Sequence, residues 1–173
     1  MMNKQSLMGV WDHLRQCHGI AMRVIEKIPT DKVHSHPIPD MRTPVELVVH
    51  LYASVVRGIA EGVPEGEIKS VDEASLCAGI QTRDDLLRFA RESWDAASRA
   101  VGQVTDEHLR NTTKSPWGFD APGSMFLSTI SDEFFHHRGQ LYAFVRQLGQ
   151  EPPMMWDFEH NATEYQPKAM QQA

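Results

Sequence analysis

The stretch SDEFFHHRGQLYAFVRQLG, residues 131–149, sets a carboxylate and an imidazole four residues apart, Glu133 and His137, inside an apolar helical run. Side chains at i and i+4 lie one turn apart on the same face of an α-helix. At about 100° per residue, Phe126, Ile130, Leu141, Phe144 and Leu148 fall within about 40° of His137, and so does Glu133. His136 lies about 100° away and is expected off this face. The spacing therefore predicts an inward-pointing carboxylate, which is costly without compensation. A proton, a basic side chain or a metal ion could supply it. A Glu–His hydrogen bond inside the core and a cation shared by both side chains are each compatible with the E-x-x-x-H spacing.

A metal would need a further ligand from another helix, and two histidines compete. His18 sits in the apolar stripe formed by Leu7, Trp11, Leu14, Ala21, Ile25 and Ile28. His50 lies roughly opposite the stripe of Val45, Val48, Tyr52, Val55, Val56 and Ile59, on the side that carries Glu46, Ser54 and Arg57. Periodicity favours His18 as the inward one and reads His50 as a surface residue. It does not fix the ligand set.

The elements that would position these groups are four amphipathic helices. The first runs from about residue 5 to Ile28 and is stopped by Pro29. The second opens at TPVE, with Thr43 as cap, Pro44 at the first position and Glu46 reaching back, and runs to about Gly62. The third starts behind Thr82 and buries Leu86, Leu87, Ala90, Trp94, Ala97, Val101 and Val104. The fourth spans about Gly123 to Leu148, with Gly149 as a left-handed stop and Pro152–Pro153 beyond it. No segment alternates long enough for a convincing strand, so the fold class expected is all-α, a four-helix bundle. Residues 30–42, 63–81 and 105–121 read as long connections of the kind that wall binding sites. Residues 1–160 read as a single domain and 161–173 as a polar tail.

Composition narrows the function classes. Of the 173 residues 41% are hydrophobic and 23% charged, ordinary for a globular chain with a core. A net charge of −6 without a Lys/Arg cluster argues against nucleic acid as a partner. No apolar run approaches membrane-span length, and the N-terminus lacks signal-peptide features. Two cysteines, Cys17 and Cys77, make no disulfide framework and no C-x-x-C pair. A reducing, cytoplasmic setting is expected, with both cysteines as small apolar residues rather than nucleophiles.

Taken together, the histidine within ELVVHLYAS, the run E-x-x-x-H-R-G-Q-L at 133–141 and the exit RQLGQEPP resemble the DinB/YfiT-like superfamily of metalloenzymes over nearly the whole chain. The resemblance implies a four-helix bundle that binds a divalent metal ion, zinc or nickel, through His50, Glu133 and His137. Many members carry histidine where this chain has Glu133; the mycothiol-dependent maleylpyruvate isomerase branch resembles this chain in its glutamate. It further implies that the second helix turns its polar-looking side toward a cavity, which leaves His18 as the fallback ligand. Gln140 could then brace a ligand or a water, and Arg138 is expected to snorkel or pair with an acid at the bundle surface. The activity implied is thiol-dependent transfer or isomerisation of a small-molecule substrate, with a low-molecular-weight thiol as cosubstrate. Hydrolysis by metal-activated water is an alternative, as is a stress-response accessory protein that binds metal without turnover. Trp117, Phe119 and Trp156 are the candidate apolar walls. A homodimer is expected if the outer valines of the second helix, Val45 and Val56, need cover.

Overall fold

Side-chain caps start three of the long helices where the sequence places them. The computed structural model describes residues 2–168. Helix α1, Lys4–Glu26, begins behind a capping box formed by Asn3 and Ser6. The second long helix begins behind a reciprocal Thr43–Glu46 box with Pro44 in its first turn. It consists of α2, Pro44–Val49, a π-helical stretch, His50–Arg57, and α3, Gly58–Glu65. Gly66, with a φ of 75°, closes it in the left-handed conformation. A short helix α4, Glu73–Ala78, follows. Helix α5, Arg83–Gln103, starts at the Thr82–Asp85 box, and the short α6 covers Asp106–Arg110. The last long helix, α7, spans Gly123–Gln147 and ends before Gly149, whose φ is 76°.

The four long helices form a ring: α1 packs on α5 and α7, and the second helix packs on α5 and α7 in turn. The second helix therefore lies diagonally across from α1. Apolar burial explains the arrangement. Trp11 of α1 stacks on Trp94 of α5 at 4.7 Å between ring centres, while Phe126, Ile130, Phe134, Leu141 and Phe144 of α7 are fully buried. Among the described residues the fold is all-α apart from a minimal hairpin, Thr112–Thr113 paired with Ala121–Pro122, and a single bridge between Glu67 and Lys114.

Four expectations need correction. The hairpin, α4 and α6 lie in segments read as loops; two-residue strands and helices of five or six residues are too short for periodicity to register. The valine stripe needs no second subunit, because Val45, Val48, Val55 and Val56 are buried within the chain as the second helix packs on α5 and α7. Cys77 sits on α4, not in a loop. Part of the segment read as a polar tail is docked: Asn161 and Tyr165 are buried, and the Asn161 amide donates to the Gln16 carbonyl at 2.9 Å. Residues 169–173 of that tail lie outside the described residues.

Candidate metal centre

The second helix and α7 are neighbours in the ring, and they bring His50, Glu133 and His137 together. One ligand atom from each lies within 4.8 Å of the other two. The wheel misjudged His50 for two reasons. The side opposite its valine stripe is only partly solvated: Glu46 and Arg57 are exposed there, but the short α4 packs over that side at His50 and leaves its side chain 23% exposed. His50 also opens the π-helical stretch, whose wider turn drifts out of phase with a 100° wheel. Its imidazole enters a slot between α4 and α7.

Each imidazole is held from behind through Nδ1. His50 donates its Nδ1–H to Glu73 Oε1 at 2.8 Å, and Ser54 Oγ donates to the same oxygen at 2.5 Å. His137 donates its Nδ1–H to Gln140 Oε1 at 2.7 Å. Donation through Nδ1 fixes the tautomer, so each Nε2 presents a lone pair. The rings meet edge to face with centres 5.0 Å apart.

Glu133 Oε2 lies 3.1 Å from His137 Nε2, yet the two are not aligned as a hydrogen bond, and His137 Nε2 is a buried atom with no partner. Two acceptors cannot face each other at this distance without something positive between them. A divalent ion with nitrogen and oxygen ligands satisfies that demand, and two imidazoles with one carboxylate are a donor set that catalytic metals accept. The residues present fit a metal ion.

Electrostatics support the same fit. Burial lowers the pKa of His137, with the Gln140 hydrogen bond and the Glu133 charge acting against it, so the neutral, ligating form is favoured. Burial alone would raise the pKa of Glu73, but the hydrogen bonds from Ser54 and His50 outweigh it and hold the carboxyl below its ordinary value. Glu73 thus orients the His50 imidazole, the part a carboxylate plays behind histidines that ligate metals. It was missed because 63–81 read as loop. Its signal was Asp72 as a cap before an acidic first turn, since the Asp72 side chain accepts from the Ser75 amide.

Glu133 departs from the expected burial, as its side chain is 40% exposed while that of His137 is 5% exposed. The carboxylate stands at the mouth of the site. A cavity of about 270 Å³ adjoins it, lined by His50, Glu133, Thr129, Trp117, Phe119 and Phe126. The hairpin holds Trp117 and Phe119 there, with ring centres 5.9 and 5.6 Å from that of Phe126. His136 is exposed, as the wheel predicts.

The fallback ligand lies elsewhere. His18 is fully buried in the core, bonded through Nδ1 to the Tyr52 hydroxyl at 2.7 Å and stacked on Trp94 at 4.7 Å. Complete burial, with a smaller contribution from Arg91, pushes its pKa down to about 3. Trp156 is not a wall of this cavity but belongs to a different groove, and Arg138 is buried rather than paired at the surface.

The DinB family profile matches residues 1–169. The chain belongs to the DinB family. Among curated proteins it is similar to an uncharacterised protein of Bacillus subtilis, YjoA, at 24% identity over 79% of this chain and 87% of that one. The crystal structure of that DinB-like protein superposes with a TM-score of 0.69, covering 85% of this chain and 96% of the other at 24% identity. A DinB-like protein from Bacillus cereus superposes with a TM-score of 0.65 at 21% identity, covering 88% and 99%. At these identities the structural likeness establishes the fold, and the chemistry must be argued from the side chains.

Proposed function

We propose that this DinB-family chain is a metal-dependent enzyme that holds a divalent ion, zinc or nickel, through His50 Nε2, His137 Nε2 and the Glu133 carboxylate. Its reaction is transfer or isomerisation with a low-molecular-weight thiol. The observation that carries the reading is the partnerless lone pair of His137 facing the Glu133 oxygen. When bound, the ion supplies Lewis acidity that lowers the pKa of a coordinated thiol or water.

The chain's own groups do the rest. Glu73 and Gln140 hold the two imidazoles in the tautomer that points Nε2 into the site. Glu133 offsets one positive charge and stays near the mouth, where a small-molecule substrate enters. Trp117, Phe119 and Phe126 form an apolar wall that excludes water from one side of a bound substrate. The thiol must come from outside, because Cys17 is fully buried on α1 and burial raises the pKa of both cysteines. Three protein ligands beside an open cavity favour turnover over a closed structural site.

A cytoplasmic setting, where such thiols are abundant, is part of the proposal. Among the described residues no helix is long and apolar enough to cross a membrane. Metal analysis of the purified protein beside His50→Ala and His137→Ala tests the ligand set: one bound ion per chain is expected in the parent and almost none in either variant. A native protein that contains no metal and takes up none when supplied with zinc or nickel overturns it.

A further inference from the structure

The other side of α7 carries a second set of polar groups left without partners. Phe135, Arg138, Tyr142 and Arg146 recur at helical spacing, roughly 100–180° around the helix from His137. Together with segment 149–156 they line an open groove of about 1000 Å³. Arg138 is only 5% exposed, and its Nη1 is a buried donor with no hydrogen-bond partner. No carboxylate pairs with it among the described residues. Its guanidinium lies over the Phe135 ring at 5.2 Å and hydrogen-bonds the Cys17 thiol, a neutral partner because burial raises that thiol's pKa.

Of the neighbouring groups, Tyr142 shares the deficit. The Tyr142 hydroxyl is also buried without a partner and sits in the field of Arg138, Arg23 and Arg146. Asp157 neutralises Arg23 at 2.6 Å. Arg146 instead stacks over the Tyr142 ring at 5.7 Å. Glu151 also lines the groove and pairs with neither Arg138 nor Arg146 among the described residues. The rim is apolar and exposed: Met154 is 70%, Met155 45% and Trp156 57% accessible.

A guanidinium withdrawn from water without an anion is unfavourable, and a cluster of exposed large apolar side chains marks a contact surface. One class of molecule satisfies both, an oxyanion head on an apolar body. We infer that this groove binds a small amphiphilic anion, its head at the exposed Arg146 and its body along Met155 and Trp156. Rotation of the Arg138 and Tyr142 side chains brings the buried Nη1 and hydroxyl toward that head. Arginine suits the head because its planar fork engages both oxygens of a carboxylate. The site is separate from the metal centre, so the inference does not depend on the proposed enzyme reading.

Calorimetric titration of the full-length protein with octanoate, 1-octanol and acetate tests it. Octanoate is expected to bind about tenfold or more tightly than either control, because only it offers both charge and apolar body. Arg138→Gln is expected to lower octanoate affinity by about tenfold or more, and Arg146→Ala by a smaller factor. His137→Ala retains octanoate affinity, which separates the groove from the metal centre. Should circular dichroism show Arg138→Gln unfolded, the double variant Tyr142→Phe with Arg146→Ala carries the same expectation of a clear loss. No octanoate binding, equal binding of 1-octanol, or binding abolished by His137→Ala would each overturn the inference.

Discussion

Two buried histidines, His18 and His137, look alike by most local measures and differ in one respect. Each is hydrogen-bonded through Nδ1, to Tyr52 and to Gln140, and each has a buried Nε2 with no partner. Around His18 stand aromatic rings: Trp94 stacked at 4.7 Å and Tyr165 edge to face at 4.8 Å. Around His137 stand a carboxylate oxygen at 3.1 Å and a second imidazole. An orphaned nitrogen is therefore not enough to make a metal site. Convergence of lone pairs on one point is what the proposed metal site has and the surroundings of His18 lack.

Substitution can break this comparison most sharply. His137→Ala should remove essentially all bound metal while leaving the thermal transition of the metal-free protein little changed. His18→Ala should do the reverse, keeping the metal and losing about 2–5 kcal/mol of stability in urea unfolding, through the cavity left against Trp94 and the unpaired Tyr52 hydroxyl. If both variants lose metal equally, the two histidines are not distinct in kind.

Acid should expose the same difference through stability. The unfolded chain protonates His18 near its ordinary value of 6.5, whereas the folded chain resists until about 3. The neutral histidine's contribution is fully present above pH 6.5 and is lost as pH falls toward 3, by several kcal/mol to an order of magnitude. His18→Phe should flatten the dependence of the urea midpoint on pH across that window. An unchanged slope would show that His18 is not held neutral by burial.

Smaller effects sharpen the metal side. Glu73→Ala should lower metal affinity by about ten- to a hundredfold without removing a ligand, because His50 loses its orienting carboxylate. Gln140→Leu should cost less, near the low end of that range, since His137 remains fixed by its buried surroundings. Equilibrium competition with a chelator measures both. Equal losses for Glu73→Ala and His137→Ala would recast Glu73 as a ligand.

The long helices were legible because their signals are local: Thr43–Pro44–Glu46, Thr82–Asp85 and Gly149 state where helices begin and end. Glu133 and His137 were legible as a pair through i, i+4 spacing. His50 was not, because it lies on the polar side of its helix and only the short α4, invisible to periodicity, covers it there; family resemblance was what favoured it over His18. The depth of Glu133 was also misread. A wheel gives direction but not distance to solvent, and the bundle opens beside that residue. Glu73 and Arg138 show the same limit from opposite sides: one is drawn into the site by a six-residue helix too short to read, and the other is buried where charge alone suggested surface.

X-ray absorption spectroscopy of the zinc-loaded protein tests the central claim most directly. The account predicts two imidazole nitrogens and one carboxylate oxygen at about 2.0–2.2 Å, with a further exchangeable non-protein ligand. A stripped protein that takes up no divalent ion, or a bound ion without imidazole in its shell, would contradict it.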